Sequence, residues 1–288
     1  MTPIAHLPRP GLYWENILVL ILVHVAGVIG VLHAIFVGLP WPTAVLAAFW
    51  LGACVLSITG GYHRLFAHRT YRAAPLLRVF YLLFGAASGQ GSALRWSSDH
   101  RAHHAHTDDE GDPHNIRRGF WWAHIGWLLY RSPPSDFRNA KDLLEDPLVR
   151  LQDRFYLVLA VVVGFVAPLL LAWTWGDPVG GLLLAGFLRL ALQYQATFSI
   201  NSVAHWIGRR PYAKHSSARD SAITAVLTMG EGYHNYHHRF PGDYRNGVRW
   251  HHLDPTKWWI WLLSRLGLAR DLRRAPRRDI QRAHDGDD

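Results

Sequence analysis

The sequence predicts an all-α membrane protein, with four transmembrane helices beneath a cytoplasmic helical cap that gathers histidines into a dinuclear metal site. Three observations carry this expectation. Four apolar segments each reach roughly 20 residues, the length that crosses a hydrocarbon core. Nearly all Lys and Arg lie in two stretches that follow the second and fourth of these segments. Most of the 19 histidines lie in the same two stretches, several of them at repeated short spacings.

The first apolar segment runs from about residue 17 to 37 and the second from 43 to 62, joined by the uncharged turn Gly38-Leu39-Pro40-Trp41-Pro42. The third spans about 155–175 and the fourth 179–202, joined by Gly176-Asp177-Pro178. Arg9 and several prolines precede the first segment, which superficially resembles a signal peptide. The run is too long for one and no small-residue cleavage site follows, so a retained helix is expected. Because cytoplasmic loops carry an excess of Lys and Arg, both termini and both basic stretches are expected in the cytoplasm. The host membrane is then a bacterial inner membrane or the endoplasmic reticulum. Leu76 to Ala87 is apolar but short, and a crossing there would break the charge rule, so it reads as a re-entrant or interfacial helix. The aromatic stretch Trp121 to Tyr130 suits the headgroup level. Residues 1–270 form one expected domain, and 271–288 a basic, disordered tail.

Composition narrows the function classes. The chain has 288 residues, is 50% hydrophobic, and carries 30 Lys+Arg against 21 Asp+Glu, a formal charge of +9. The basic residues flank apolar runs and form no basic domain, which argues against nucleic acid as a partner. A single cysteine, Cys54, sits inside an apolar run. Disulfides and cysteine-ligated clusters within the chain are therefore excluded, and a bound metal must rely on His, Asp or Glu.

Three boxes concentrate the histidines: His63 and His68 in HRLFAH, His100, His103 and His104 in HRAHH, and His234, His237 and His238 in HNYHH. In the second and third, positions i, i+3 and i+4 share one face of a helix, a spacing that lets several imidazoles converge on one ion. The first is weaker, since i and i+5 do not share a face in a regular helix. One such box alone could be a solvated or internally satisfied cluster. Three from distant segments on one side of one membrane are not explained that way. Asn201-Ser-Val-Ala-His205, where the fourth segment meets the cytoplasm, adds a ninth imidazole, although a lone His at a helix end also caps carbonyls. Nine nitrogens exceed what one first-row ion accepts and fit two. Imidazole suits iron, zinc and copper, so ligand type alone does not name the metal.

His106, His114, His124, His215, His251 and His252 lie near the boxes outside the repeated spacing and read as surface, substrate-side or supporting residues. Asp99 and Glu231, just ahead of the second and third boxes, are candidates to accept the outer N–H of an imidazole ligand, or to serve as N-terminal helix charges.

Taken together, HRLFAHRTY, RWSSDHRAHH, GDPHNIRRGFWWAHIGWLL, NSVAHWIG, GEGYHNYHHRFPGDYRNG and DPTKWWIWLLSRLGLA resemble the integral-membrane acyl-CoA desaturases, the stearoyl-CoA (Δ9-type) family, over about Gly61 to Ala269. The last stretches look especially like the fungal Δ9-desaturases. The resemblance implies two iron ions held by His63, His68, His100, His103, His104, His205, His234, His237 and His238, with Asn201 reaching a metal through water. It implies O2 as co-substrate and a long-chain acyl-CoA as substrate. Arg117, Arg118 and Arg131 are candidates for the head-group phosphates, though basic residues beside membrane segments also meet anionic lipid. Ser98 and Ser132 stand where some relatives carry basic residues, which leaves room for an acyl-lipid or acyl-carrier-protein substrate. Trp96 and Phe198 resemble residues lining the acyl channel. Phe49 and Trp50, in the second segment, are expected to close the tunnel and set chain length.

Two external electrons are needed per turnover, and the sequence shows no flavin fingerprint, haem-attachment motif or cysteine cluster. Nor does it show the cytochrome b5 domain that fungal relatives carry at the carboxyl end. The expected donor is separate: a ferredoxin, or cytochrome b5, with an NAD(P)H reductase. A hydroxylase would share the same site. A non-catalytic metal-binding or transport protein would place ionisable groups within the spans, where Arg189 is the one clear case.

Overall fold

The computed structural model describes residues 11–131 and 136–286. Helix α1 covers Trp14–Phe36. After a turn at Gly38, whose φ of 119° suits glycine, α2 starts at Trp41 with Pro42 in its first turn and runs as one helical span to Ala67. Its last eleven residues, Ser57–Ala67, are wound as a π-helix. Then come α3 (Pro75–Ala87) and α4 (Ala93–Ala105), followed by α5 (Phe120–His124), α6 (Pro147–Arg154) and α7 (Tyr156–Trp173). A continuous helical run over 178–206 forms α8, with π winding over Gly181–Leu188. The remaining helices are α9 (Ala222–Leu227), α10 (His234–Arg239), α11 (Pro255–Arg265) and α12 (Arg277–Asp285).

Among the described residues, α1, α2 and α7 are long and apolar enough to cross a membrane. Their outward faces leave large side chains such as Leu18, Ile35 and Leu157 exposed, a surface that water does not tolerate and lipid does. The fourth expected span, α8, is helical throughout but less apolar, since it carries Arg189, Gln193 and Gln195. Arg189 is buried: its guanidinium donates to the carbonyls of Ala87, Gly164 and Ala185 at 2.8, 3.2 and 3.1 Å. A charge at that depth is tolerated because its donors are met by backbone carbonyls.

Helix α3 does not lie on a flat surface. Ser88, at its end, donates to the Cys54 carbonyl halfway along α2, so α3 descends between the long helices. It interlocks with the π-wound end of α2 through two reciprocal contacts. A Cβ on Gly61 would lie 2.7 Å from Tyr81, and one on Gly85 would lie 2.3 Å from the Tyr62 ring. Only glycine admits each tyrosine.

Segments distant in sequence meet near the histidine helices. Strands β1 (Arg72–Ala73) and β2 (Ala269–Arg270) pair antiparallel, Arg72 opposite Arg270. Beyond them the chain is not the disordered tail expected from its basic composition. Arg273 N–H donates to Thr70 and its carbonyl accepts from Tyr244. Helix α12 then seats Ile280 and Ala283 against Tyr212, Tyr236 and Phe240. Two apolar side chains at i and i+3 were enough to dock a helix that net charge had disguised.

Candidate metal centre

The π winding resolves the weak first box. His68 N–H bonds the His63 carbonyl, an i→i+5 bond at 3.0 Å, so residues five apart come onto one face. The two rings lie 4.9 Å apart. In the second and third boxes the expectation that one box serves one ion is corrected. From i, the i+3 and i+4 positions of an α-helix lie about 60° to one side and about 40° to the other. His100 and His104 accordingly join His63, His68 and His237, while His103 joins His205, His234 and His238. The third box mirrors the second: His237 faces one group, His234 and His238 the other.

Within each group the ligand nitrogens lie within 4.8 Å of one another. The Nε2 atoms face each other directly: His63 to His237 at 3.0 Å, His68 to His100 at 2.8 Å and His104 to His237 at 2.9 Å. In the second group, His205 to His234 is 3.0 Å, His234 to His238 3.0 Å and His103 to His238 3.3 Å. Two nitrogens at right angles about 2.1 Å from a common ion are about 3.0 Å apart, so these spacings are edges of a coordination shell.

The outer nitrogens explain why the inner ones are lone pairs. His63 Nδ1 lies 2.9 Å from Glu231 Oε2, His103 Nδ1 2.9 Å from Asp112 Oδ1, and His205 Nδ1 2.6 Å from Ser217 Oγ. With the proton held outside, Nε2 points inward unprotonated, and facing lone pairs repel unless a cation lies between them. Burial first, then neighbouring imidazoles, push His100, His104, His234, His237 and His238 well below the usual histidine range. The rings therefore stay neutral, the form that ligates.

Surrounding carboxylates complete the cage. Glu231 also accepts from Arg64 at 3.0 Å and Asn246 at 2.7 Å, and Arg64 bonds Asp254 at 3.0 Å. Burial works against the charge on Asp112, but the His103 hydrogen bond holds its pKa down to about 2. Asp108 accepts from Ser217 Oγ, extending the chain from His205. Sequence reasoning missed Asp112, Asp108 and Ser217; the available signal was the acidic turn following the second box. His114 lies beside the cage, its Nδ1 3.3 Å from Asp112. Asp99 is exposed and, among the described residues, meets no imidazole, because it falls on the outer side of α4.

A cavity opens onto this centre, lined by His63, His100, His103, Trp96 and Asn201 among others. A second shares Ile58, Thr59, Thr197 and Ile200 with it and continues along α2 and α8 to Val55 and Gln193. Trp96 stacks on His100 at 4.9 Å and donates to Gln90, which donates to Thr197. Phe198 packs on Tyr194 and His124, outside both cavities. Phe49 is 54% exposed, and Trp50 donates to the Val163 carbonyl in a cluster with Phe84. Neither borders either of these cavities; Val55, Ile58 and Thr59 do so, further along the helix toward the histidines.

Of the proposed head-group residues, Arg117 and Arg118 sit exposed on a short 3₁₀ turn, Arg118 over the Trp122 ring. Arg131 is exposed and pairs with Glu15 at 3.3 Å. Ser98 is buried and bonds Asn139, so it does not sit at the head-group surface. Ser132 lies outside the described residues.

A sequence profile described as "Fatty acid desaturase" matches residues 39–269. The chain belongs to the fatty acid desaturase family. It is 45% identical over 240 residues to acyl-CoA desaturase 1 of Saccharomyces cerevisiae, covering 82% of this chain and 47% of that one. A Schizosaccharomyces pombe relative is likewise 45% identical over 243 residues, covering 83% of this chain and 51% of its own length. The chain thus spans about half the length of these fungal relatives. Human stearoyl-CoA desaturase 5 is 37% identical over 295 residues, covering 99% of this chain and 88% of that one.

Proposed function

We propose that this membrane protein is a fatty acyl-CoA desaturase holding two iron ions on the nine histidines, with Asn201 reaching one of them through water. The carrying observation is the division of inward-facing Nε2 atoms into a group of five and a group of four at the mouth of an apolar cavity. The relatives' names support acyl-CoA as substrate, and the motif resemblance to the Δ9-type family supports carbon 9 as the site of reaction. The balanced reaction is R–CH2–CH2–R′ + O2 + 2 e⁻ + 2 H⁺ → R–CH=CH–R′ + 2 H2O.

Bound iron supplies the one-electron oxidising power toward O2 and an unactivated C–H bond that no side chain possesses. This chain's residues do the rest. Glu231, Asp112 and Ser217 keep the ligand protons on the outer nitrogens. The walls of α2 and α8 orient the acyl chain and exclude water, and Trp96 fixes its path past the imidazoles. Arg117, Arg118 and Arg131 offer guanidinium groups to the CoA phosphates. In this reading α8 is the fourth span, residues 1–270 form one domain, and the termini and centre face the cytoplasm. A separate carrier delivers the electrons.

The test is expression in a desaturase-deficient host with product analysis after feeding a saturated acyl chain. A cis alkene at carbon 9 is expected. A secondary alcohol would make the enzyme a hydroxylase, and metal uptake without any lipid product would overturn the desaturase reading.

A further inference from the structure

The segment after residue 270 covers the back of the centre. Helix α12 lies on α10, the helix that carries His234, His237 and His238, and the layer between them is aromatic. Tyr236, buried on α10, has its ring 5.1 Å from Tyr212 and 5.2 Å from Phe240, and Ile280 and Ala283 of α12 close over these rings. The axes of packed helices lie about 8–10 Å apart. The inner face of α12 therefore rests on the aromatic layer of the ligand-bearing helix, and its outer face lies one helix diameter further out.

The outer face of α12 and the segment leading into it are basic. Arg273, Arg274, Arg277, Arg278 and Arg282 are all exposed. Only Asp279 and Asp285 oppose them within 273–286, a net of +3. Lys214 reaches Gly286 at the far end of α12, and exposed Arg239 directly follows His238. The apolar residues of α12 are already used inward, so this helix has no face left for insertion into a bilayer.

We propose that this basic face is the docking surface for an acidic one-electron carrier. The inference rests on the desaturase reading, which requires two electrons per alkene. The carrier would dock and be oxidised twice per turnover, and the two electrons, with two protons and the two hydrogens of the acyl chain, reduce O2 to two waters. Charge complementarity selects the partner and speeds encounter, and the surface that provides it is carried by the helix that packs on the aromatic side of the third histidine box.

The test uses the full chain in zwitterionic nanodiscs with stearoyl-CoA and a plant-type [2Fe–2S] ferredoxin or cytochrome b5, each with its reductase. An Arg277→Glu, Arg278→Glu double variant is compared with the parent. Both substitutions fall in the first turn of α12, where negative charge is favourable, so the helix is retained. The expected result is a KM for the carrier raised about tenfold or more with a flattened ionic-strength dependence. Single-turnover alkene yield with dithionite as reductant should stay unchanged, as should iron content. An unchanged carrier KM would overturn the proposal, and an equal loss with dithionite would make the face structural. Weakened binding to anionic vesicles with normal carrier kinetics would assign the face to lipid. Absence of alkene from the parent chain with every reductant would instead overturn the desaturase reading, and the docking proposal with it.

Discussion

Replacing Glu231 with Gln separates the roles of the buried carboxylates. Glu231 faces His63 Nδ1 at 2.9 Å and Asn246 at 2.7 Å with one oxygen, and Arg64 at 3.0 Å with the other. An amide keeps the shape but turns a donor toward one of these donors. Breaking a buried pair costs about 3–5 kcal/mol. Arg64 keeps Asp254, at 3.0 and 3.3 Å, which places the loss near the lower bound, about 3 kcal/mol. Loss of the acceptor behind a metal-ligating histidine lowers metal affinity about 10–100-fold. Asp254→Asn is the matched comparison: it removes the other partner of Arg64 without touching an imidazole. Both variants should unfold at lower temperature, and only Glu231→Gln should release iron faster to a chelator. Equal iron loss from both, or Glu231→Gln within twofold of the parent, would refute the assignment of Glu231 to His63.

Three further outcomes are expected. Gly61→Ala places a Cβ 2.7 Å from Tyr81 and should cost about 1–3 kcal/mol by overpacking, read as a lowered Tm in detergent. Arg189→Leu strips the donor from the Ala87, Gly164 and Ala185 carbonyls, and at about 1–3 kcal/mol for an unsatisfied buried group it should prevent stable purification or lower Tm sharply; an unchanged Tm would contradict it. Burial, then the Lys257 ammonium, holds the His252 pKa down to about 4. The folded value lies below the unfolded one of about 6.5, so the contribution of His252 is full above that value and is lost as pH falls toward 4. His252→Gln should therefore show a shallower decline in Tm than the parent between pH 6.5 and 4.

Much of the site was legible because its signals are local. Box spacing, the neutral turns between apolar runs and the placement of Lys and Arg depend on residues close in the chain. They located the nine imidazoles and placed Glu231 beside the third box. The features that were not legible depend on packing. Phe49 and Trp50 were read as the end of the tunnel from their depth in the second span alone. The cavity wall falls instead at Val55, Ile58 and Thr59, further along the same helix toward the histidines. Asp99 was read as an acceptor because it immediately precedes the second box, yet the carboxylate that meets His103 is Asp112, nine residues beyond that histidine and brought back by a turn.

The sequence by itself determined the membrane-protein class, the histidine boxes and the family, because residue type, spacing and hydropathy are properties of the chain. Tertiary structure decided three things. It paired His63 with His68 through i→i+5 hydrogen bonds that no polarity pattern encodes. It split each HxxHH box between two groups, because i+3 and i+4 diverge across a helix axis and only the facing helices give each side a partner. It also ordered the arginine-rich end over the third box, since two small apolar contacts outweigh a compositional signal that averages over the whole segment.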